Sequence, residues 1–331
     1  MNKRELILSI CIPTFNRCEL LDLCLHSILE QIVQLKSKEI EIVISNNAST
    51  DNTARLIQDI QLQYPKILIR SFIQEKNIGA VNNLFYVVKL AEGKYIYIVS
   101  DDDVLLPGAM DNIIDSINTH SNVSVIIPKV VPFDNSINEI IYTNNELKDI
   151  YIADKNEIFV RMGTMITFIS SMIFLNSIVK HSKIFNSKNL FPHSFLFLSA
   201  INDDGGGIFL SSPGMGMRNN YNVKYNLLSA FIIDFYDIIK YAKELRFSQN
   251  AIRTVLSNHA IWLYNAILFF KNKSYQPTLK DKVGDSIKVM KMWWFDISSI
   301  IKICITIWLP VNIVNKIKYI NQERNGQKLC R

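Results

Sequence analysis

Across the first 110 or so residues, short β-branched apolar runs alternate with amphipathic helical patterns, and polar clusters follow the runs. The runs are ILSICIP (7–13), IEIVIS (40–45), ILIRSFI (67–73) and YIYIV (95–99). Between the first two, Leu21, Cys24, Leu25, Ile28, Leu29 and Ile32 recur at three- and four-residue spacing, the signature of one apolar helical face. Ser49, Thr50 and Asp51 precede a second helical pattern, residues 79–91 carry a third, and Pro107 suits the first turn of a fourth. Strands this short and this apolar are buried on both sides. Interleaved with helices, they predict an α/β fold with a mostly parallel sheet covered on both faces.

In an open sheet of that kind, the ligand crevice lies beyond the carboxyl ends of the strands. Three polar clusters fall there: Pro13–Arg17, Ser45–Asp51 and Asp101–Asp103. Asp101, Asp102 and Asp103 run consecutively from the end of YIYIV. Their mutual repulsion is relieved by a divalent cation, for which hard oxygen ligands suit Mg²⁺ or Mn²⁺, or by solvation as an acidic turn that caps the Pro107 helix. A bound ion would bridge a diphosphate and stabilise charge on a departing nucleotide. In Ser45–Asp51, capping accounts for one or two residues; amides and hydroxyls beyond that number could read a base and a ribose. Asn77, Gly79, Asn82 and Asn83 form a further polar turn, where Gly79 allows close backbone approach.

CIPTFNR (11–17), ISNNASTD (44–51), NIGAVNN (77–83) and SDDDVL (100–105) resemble, in order and spacing, the successive signatures of family 2 glycosyltransferases. The resemblance covers roughly the first 115 residues and implies a GT-A fold, a nucleotide-sugar donor and a DxD metal motif. It assigns Pro13, Thr14, Asn16 and Arg17 to the nucleotide pocket and Asn46, Asn47 and Ser49 to the base and ribose. Asn77, Gly79, Asn83, Asp101 and Asp102 join the donor site. Asp101 and Asp103 match the two ends of DxD, with Asp103 the direct ligand of Mn²⁺ or Mg²⁺. One departure stands out: Asn46 occupies a position where the family usually carries aspartate, and an uncharged amide donates as well as accepts.

The middle of the chain mixes signals. VSVIIPKVV (123–131) and SSMIFLNSIV (170–179) read as strands, and DDGGG (203–207) and PGMG (213–216) as loops. Gly163, FISS (168–171) and Phe191-Pro192-His193 resemble the family branch that acts in O-antigen assembly, most like the abequosyltransferase type with a CDP-dideoxyhexose donor. His193 is a candidate metal ligand or acid/base near the acceptor, with a core or capping histidine as the alternative. Asp203 and Asp204 are candidate general bases.

From about residue 226 the pattern stays helical, so residues 1–225 are expected to form the transferase domain, with a donor half to about 115 and an acceptor half beyond it. Residues 246–331 hold 14 lysines and arginines against 4 aspartates and glutamates, a net of +10 in a chain of net +6. Trp293, Trp294 and Trp308 lie among aliphatics there, and the longest uncharged run, 303–315, falls short of the ~20 residues a membrane span requires. Basic, tryptophan-bearing amphipathic helices lie in the membrane interface; two core helices packed on the catalytic domain are the alternative. Interface binding suits a polyprenyl-linked oligosaccharide acceptor and an anionic membrane surface; no nucleic acid partner is expected. The seven-residue apolar stretch before Pro13 is too short for export, and five cysteines without CxxC pairing read as reduced thiols, so the expected location is cytoplasmic, peripheral on the inner face of the membrane. A nucleotidyltransferase shares the strand and polar-loop layout, but CIPTFNR lacks the glycine-rich, lysine-bearing loop expected of one. A non-enzymatic membrane or nucleic-acid binding protein accounts for the basic tail and leaves the three strand-end clusters unexplained.

Overall fold

The computed structural model describes residues 5–36, 39–120, 123–133, 148–181, 189–218, 227–270 and 278–310, with 312, 313 and 316. Lys318 and Cys330 lie outside the described residues. The chain divides into two compact units, Met1–Ile158 with Met165–Tyr221, and Phe159–Thr164 with Asn222–Arg331.

In the first unit, β1 (Leu8–Thr14), β2 (Ile40–Asn46), β3 (Leu68–Ile73) and β4 (Tyr95–Ile98) alternate with α1 (Cys18–Leu35), α2 (Thr53–Gln63) and α3 (Ala80–Lys89). These four strands are mutually parallel, in the order β3-β2-β1-β4. β1, β2 and β4 are buried almost throughout, which is why they carry continuous Ile, Val, Leu and Tyr. β5 (Val104–Leu105), α4 (Ala109–Thr119), β6 (Val125–Phe133), β7 (Ile150–Ile152), α5 (Lys155–Met162, of which Phe159 onward is counted in the second unit), β8 (Ile173–Leu175), α6 (Asn176–His181), α7 (Pro192–Ile201) and β9 (Gly207–Arg218) follow. β8 is antiparallel to both β4 and β6, β6 and β9 are parallel, and β5 and β7 pair antiparallel with β9. The sheet is therefore mixed beyond β4. Its core includes Ile10, Ile12, Leu21, Leu25, Ile28, Ile42, Ile44, Tyr97 and Met110.

Three local expectations change. Pro107 stands ahead of α4, whose N-cap is Gly108 in a left-handed conformation. PGMG lies inside β9, where the β6 register slips opposite Pro213 and the ladder tolerates a residue with no N–H. SSMIFLNSIV is a 3₁₀ turn (Ile169–Ser171), the three-residue β8 and the start of α6. Asn176 ends the strand by donating its side-chain amide to the Gly93 carbonyl at 2.6 Å.

The second unit contains α8 (Leu227–Glu244), α9 (Gln249–Phe270), α10 (Leu279–Met292) and α11 (Ile297–Trp308). Its interior is aromatic. His259 stacks on Phe235 at 3.6 Å between ring centroids and lies nearly parallel to Trp262 and Trp293. The buried Trp293 indole donates to the Leu256 carbonyl at 2.6 Å.

Candidate active site

The loop after β1 and the loop after β2 are locked together. The Asn16 backbone N–H donates to Ser49 Oγ at 2.9 Å, and Asn16 Oδ1 accepts from the Thr50 N–H at 2.7 Å. Asp51 accepts from the Cys18 N–H at the start of α1 and from Thr53 at the start of α2, so one carboxylate serves two helix N-termini. Asn16 and Ala48 both hold left-handed backbone conformations, φ 51 and 58, which L-residues seldom adopt outside such constraint. Asn46 accepts from the Ser49 N–H at 2.9 Å through Oδ1, while its buried Nδ2 meets no acceptor.

A third loop joins through Asn47. Its Nδ2 donates to Asn77 Oδ1 at 3.0 Å and its Oδ1 accepts from the Ile78 N–H at 2.9 Å. Asn77 Oδ1 also accepts from the Gly79 N–H, and Gly79 caps α3 at φ 86. Space around Gly79 is open, so this backbone angle alone favours glycine there. Asn83 stands apart from the crevice wall: its buried amide accepts from Ser45 Oγ at 2.6 Å and donates to the Ser45 carbonyl at 2.9 Å, fastening α3 to β2.

Pro13 and Thr14 finish β1 in register with Ser45 and Asn46. The acidic turn after β4 is then reached from two sides. Arg17 Nη1 bridges Asp101 Oδ1 at 2.8 Å and Asp102 Oδ2 at 3.0 Å. Ser100 Oγ donates to Asp102 Oδ1. Asp103 is buried, with Oδ2 accepting from Ser170 Oγ at 2.7 Å and Oδ1 from the Arg218 N–H at 3.3 Å. Arg218 Nε also donates to the Asp102 carbonyl, and its guanidinium lies 4.7 Å from the Phe133 ring centre. Behind the turn, Ser27 and Gln31 of α1 hold the backbone of Leu105 and Leu106. Sequence reading omitted Ser170, Arg218 and Ser100 from the site. Ser170 lies within FISS (168–171), but nothing local reveals a contact 67 residues away.

Burial pushes the Asp101 carboxyl up to about 6, with Arg17 opposing and Asp102 adding to the rise. Burial also holds Asp103 well above the usual carboxylate range, reinforced by Asp102 and Asp101 and offset by its bonds to Ser170 and Arg218. Crowded, proton-hungry carboxylate oxygens are a donor set that fits a hard divalent cation. Among the described residues, no three His, Cys, Asp or Glu side chains form a group that could hold a metal ion by themselves, so Asp101 and Asp103 are at most part of a ligand set.

The proposed bases lie elsewhere. Asp203 and Asp204 are exposed beyond α7, at the end where β6 and β9 begin, with Ser124 Oγ 3.4 Å from Asp203. β9, bulged against the nine residues of β6, separates that end from Arg218 and the acidic turn by roughly 25 Å. A base must come within hydrogen-bond reach of the proton it takes, so these two aspartates do not serve the strand-end crevice. His193 sits in the first turn of α7, buried, with neither ring nitrogen in a hydrogen bond of good geometry. Burial lowers it to about 4, and the nearby Thr167 backbone opposes this only in part. Its neighbour Ser194 donates to the Ile166 carbonyl, so this part of α7 packs behind the segment that delivers Ser170.

Residues 9–176, half of the chain, match the model of glycosyl transferase family 2. The chain belongs to glycosyltransferase family 2. It is 28% identical over 291 residues to abequosyltransferase RfbV of Salmonella typhimurium, covering 79% of this chain and 83% of that one. It is 32% identical over 114 residues to a Campylobacter jejuni enzyme named as a GalNAc(5)-diNAcBac-PP-undecaprenol beta-1,3-glucosyltransferase, about a third of each chain. In fold it is similar to S. aureus TarS 1–349 in complex with UDP-GlcNAc: TM-score 0.65, 14% identity, 96% of this chain and 92% of that one. The Pyrobaculum calidifontis mannosyltransferase PcManGT, in complex with GDP-Man and Mn²⁺, gives a TM-score of 0.52 at 13% identity, over 93% and 88% of the two chains. The protein is thus a glycosyltransferase with a GT-A fold.

Proposed function

We propose that this glycosyltransferase moves a dideoxyhexose from a CDP-sugar to a polyprenyl-linked oligosaccharide during O-antigen assembly, at the inner face of the cytoplasmic membrane. The observation that carries the sugar and the pathway is the likeness to the Salmonella abequosyltransferase, which runs through most of both chains and not only the donor half. The Campylobacter relative, named for an undecaprenol-linked substrate, supports a lipid-linked acceptor. Catalysis is assigned to residues 1–225, with donor binding in about the first 115.

In this reading the nucleoside lies against Pro13, Thr14, Asn46, Asn47 and Ser49. Asn16 and Asn77 hold the three loops as one edge before the donor arrives, so little ordering cost falls on binding. Arg17 and Arg218 bracket the acidic turn and moderate its charge where the diphosphate would lie. Asp103, with Asp101, would hold Mn²⁺ or Mg²⁺, which when bound supplies Lewis-acid stabilisation of the departing nucleoside diphosphate. Ser170 fixes the Asp103 carboxylate that would face it.

The test is transfer of label from CDP-, UDP- and GDP-sugars to a polyprenyl diphosphate-linked oligosaccharide by purified protein with Mn²⁺. Transfer from the CDP-dideoxyhexose is expected; efficient use of only UDP- or GDP-sugars would overturn the donor assignment while leaving the family intact.

A further inference from the structure

The geometry points to an anionic-lipid docking surface on α10 and α11. These helices form a hairpin: the Trp308 indole, ending α11, donates to Ser286 Oγ of α10 at 3.1 Å. Both turn one face inward. Asp285, Val289 and Met292 of α10, and Ile303, Thr306 and Ile307 of α11, are buried. α10 packs on α8 and α11 on α9, which leaves the opposite faces of the hairpin side by side in solvent.

Those outer faces are apolar. On α11, Ile297, Ile301, Ile305 and Trp308 recur at three- and four-residue spacing, and Trp294 precedes them; all five are 45–69% exposed. On α10, Val283, Ile287 and Met290 follow the same spacing and are also exposed. Scattered exposed leucines or isoleucines need no explanation, but eight large apolar side chains on adjoining faces form a patch that asks for a partner.

Charge chooses the partner. Lys280, Lys291 and Lys302 are exposed on the same two helices, Lys282 lies 5.8 Å from the Trp308 ring centre, and Arg253 lies 5.7 Å from that of Trp294. An apolar stripe with indoles and flanking cations is built for the boundary between acyl chains and anionic headgroups. Among the described residues no helix is long and apolar enough to cross a membrane, so the contact is one of lying in the interface. The surface would serve the lipid-linked acceptor proposed above, but it stands on residues outside the donor crevice, so each is measured separately.

The experiment is co-sedimentation of the full chain with phosphatidylcholine vesicles with and without phosphatidylglycerol, beside calorimetric titration with CDP and Mn²⁺. Binding to the phosphatidylglycerol vesicles that weakens at high salt is expected. The double variant Ile301→Glu/Ile305→Glu is expected to lower it at least ~10-fold, with CDP affinity unchanged. Should glutamates unfold the hairpin, Lys280→Gln/Lys291→Gln/Lys302→Gln still decides, by weakening only the salt-sensitive part. Undiminished vesicle binding by both variants overturns the proposal. So does a dimer in solution that the glutamates convert to monomer without change in vesicle binding, since the face would then cover a second copy of this chain.

Discussion

Consider His259 as the pH falls from 7.5 to 5. Its Nε2–H donates to the Phe231 carbonyl at 3.0 Å, and its Nδ1 lies 3.3 Å from the Thr164 hydroxyl, the only donor of that pair when the ring is neutral. Burial among Phe235, Trp262 and Trp293 disfavours the charged ring and lowers it to about 3, with the Phe231 bond opposing. In the unfolded chain it titrates near the ordinary value of about 6.5. The stability this neutral ring confers is complete above about pH 6.5 and drains away as pH falls toward 3, because the unfolded state takes up the proton first. At pH 5 that amounts to 1.5 units, or about 2 kcal/mol. With a urea slope of about 1–3 kcal/mol per molar, the midpoint for the helical unit moves down by roughly 1 M. Tryptophan fluorescence isolates this unit, since Trp262, Trp293, Trp294 and Trp308 all belong to it. Asp296, which caps α11 and is held below the usual carboxylate range by Ser299, contributes acid sensitivity only below about pH 4. His259→Phe should keep the stacking, lose the two hydrogen bonds, and flatten the pH dependence between 7.5 and 5. An unchanged midpoint at pH 5, or an equal fall in His259→Phe, would refute the reasoning.

Two substitutions probe the catalytic unit. Asp103→Asn keeps an acceptor for Ser170 and relieves repulsion in a buried acidic turn, so the melting temperature should hold or rise while transfer falls ~10²–10³-fold; full activity in this variant, or in EDTA, would remove the metal role. With both ring nitrogens walled off, His193→Ala should lower the melting temperature but leave turnover per folded molecule unchanged; a hundredfold loss at an unchanged melting temperature would restore its acid/base role.

The donor half was legible because its signals are local. Three of the four apolar runs are buried strands, the run with Arg70 and Ser71 is the half-exposed edge strand β3, and the Asn, Ser and Asp clusters that follow the runs need no distant partner to be seen. Beyond residue 120 the decisive interactions are remote. β9 was unreadable as a strand because Pro213, Gly214 and Gly216 are strand breakers locally; Pro213 and Gly214 are accepted where the register slips against β6, and Gly216 is paired regularly between Val131 and Val104. Asp203 and Asp204 looked like bases because a sequence does not say at which end of a sheet a loop emerges. Arg218 reaches Asp103 across 115 residues and Ser170 across 67, and neither bears a motif that announces it. His193 was visible as a residue, but its enclosure follows from the packing of α7.

The central claim is that the interlocked loops beyond β1, β2 and β4 form a preassembled nucleoside diphosphate site. Calorimetric titration of CDP in Mn²⁺ against wild type and Asn16→Ala tests it most directly. Asn16 Oδ1 ties the first loop to the Thr50 N–H and, more weakly, to the Thr50 hydroxyl, and its loss removes this tie without touching the acidic turn. One CDP per wild-type chain is predicted, Mn²⁺-dependent, with affinity at least ~5-fold weaker in the variant from a lost hydrogen bond of about 1 kcal/mol. Equal affinity in both proteins, or no saturable CDP, UDP or GDP binding by wild type, would contradict it.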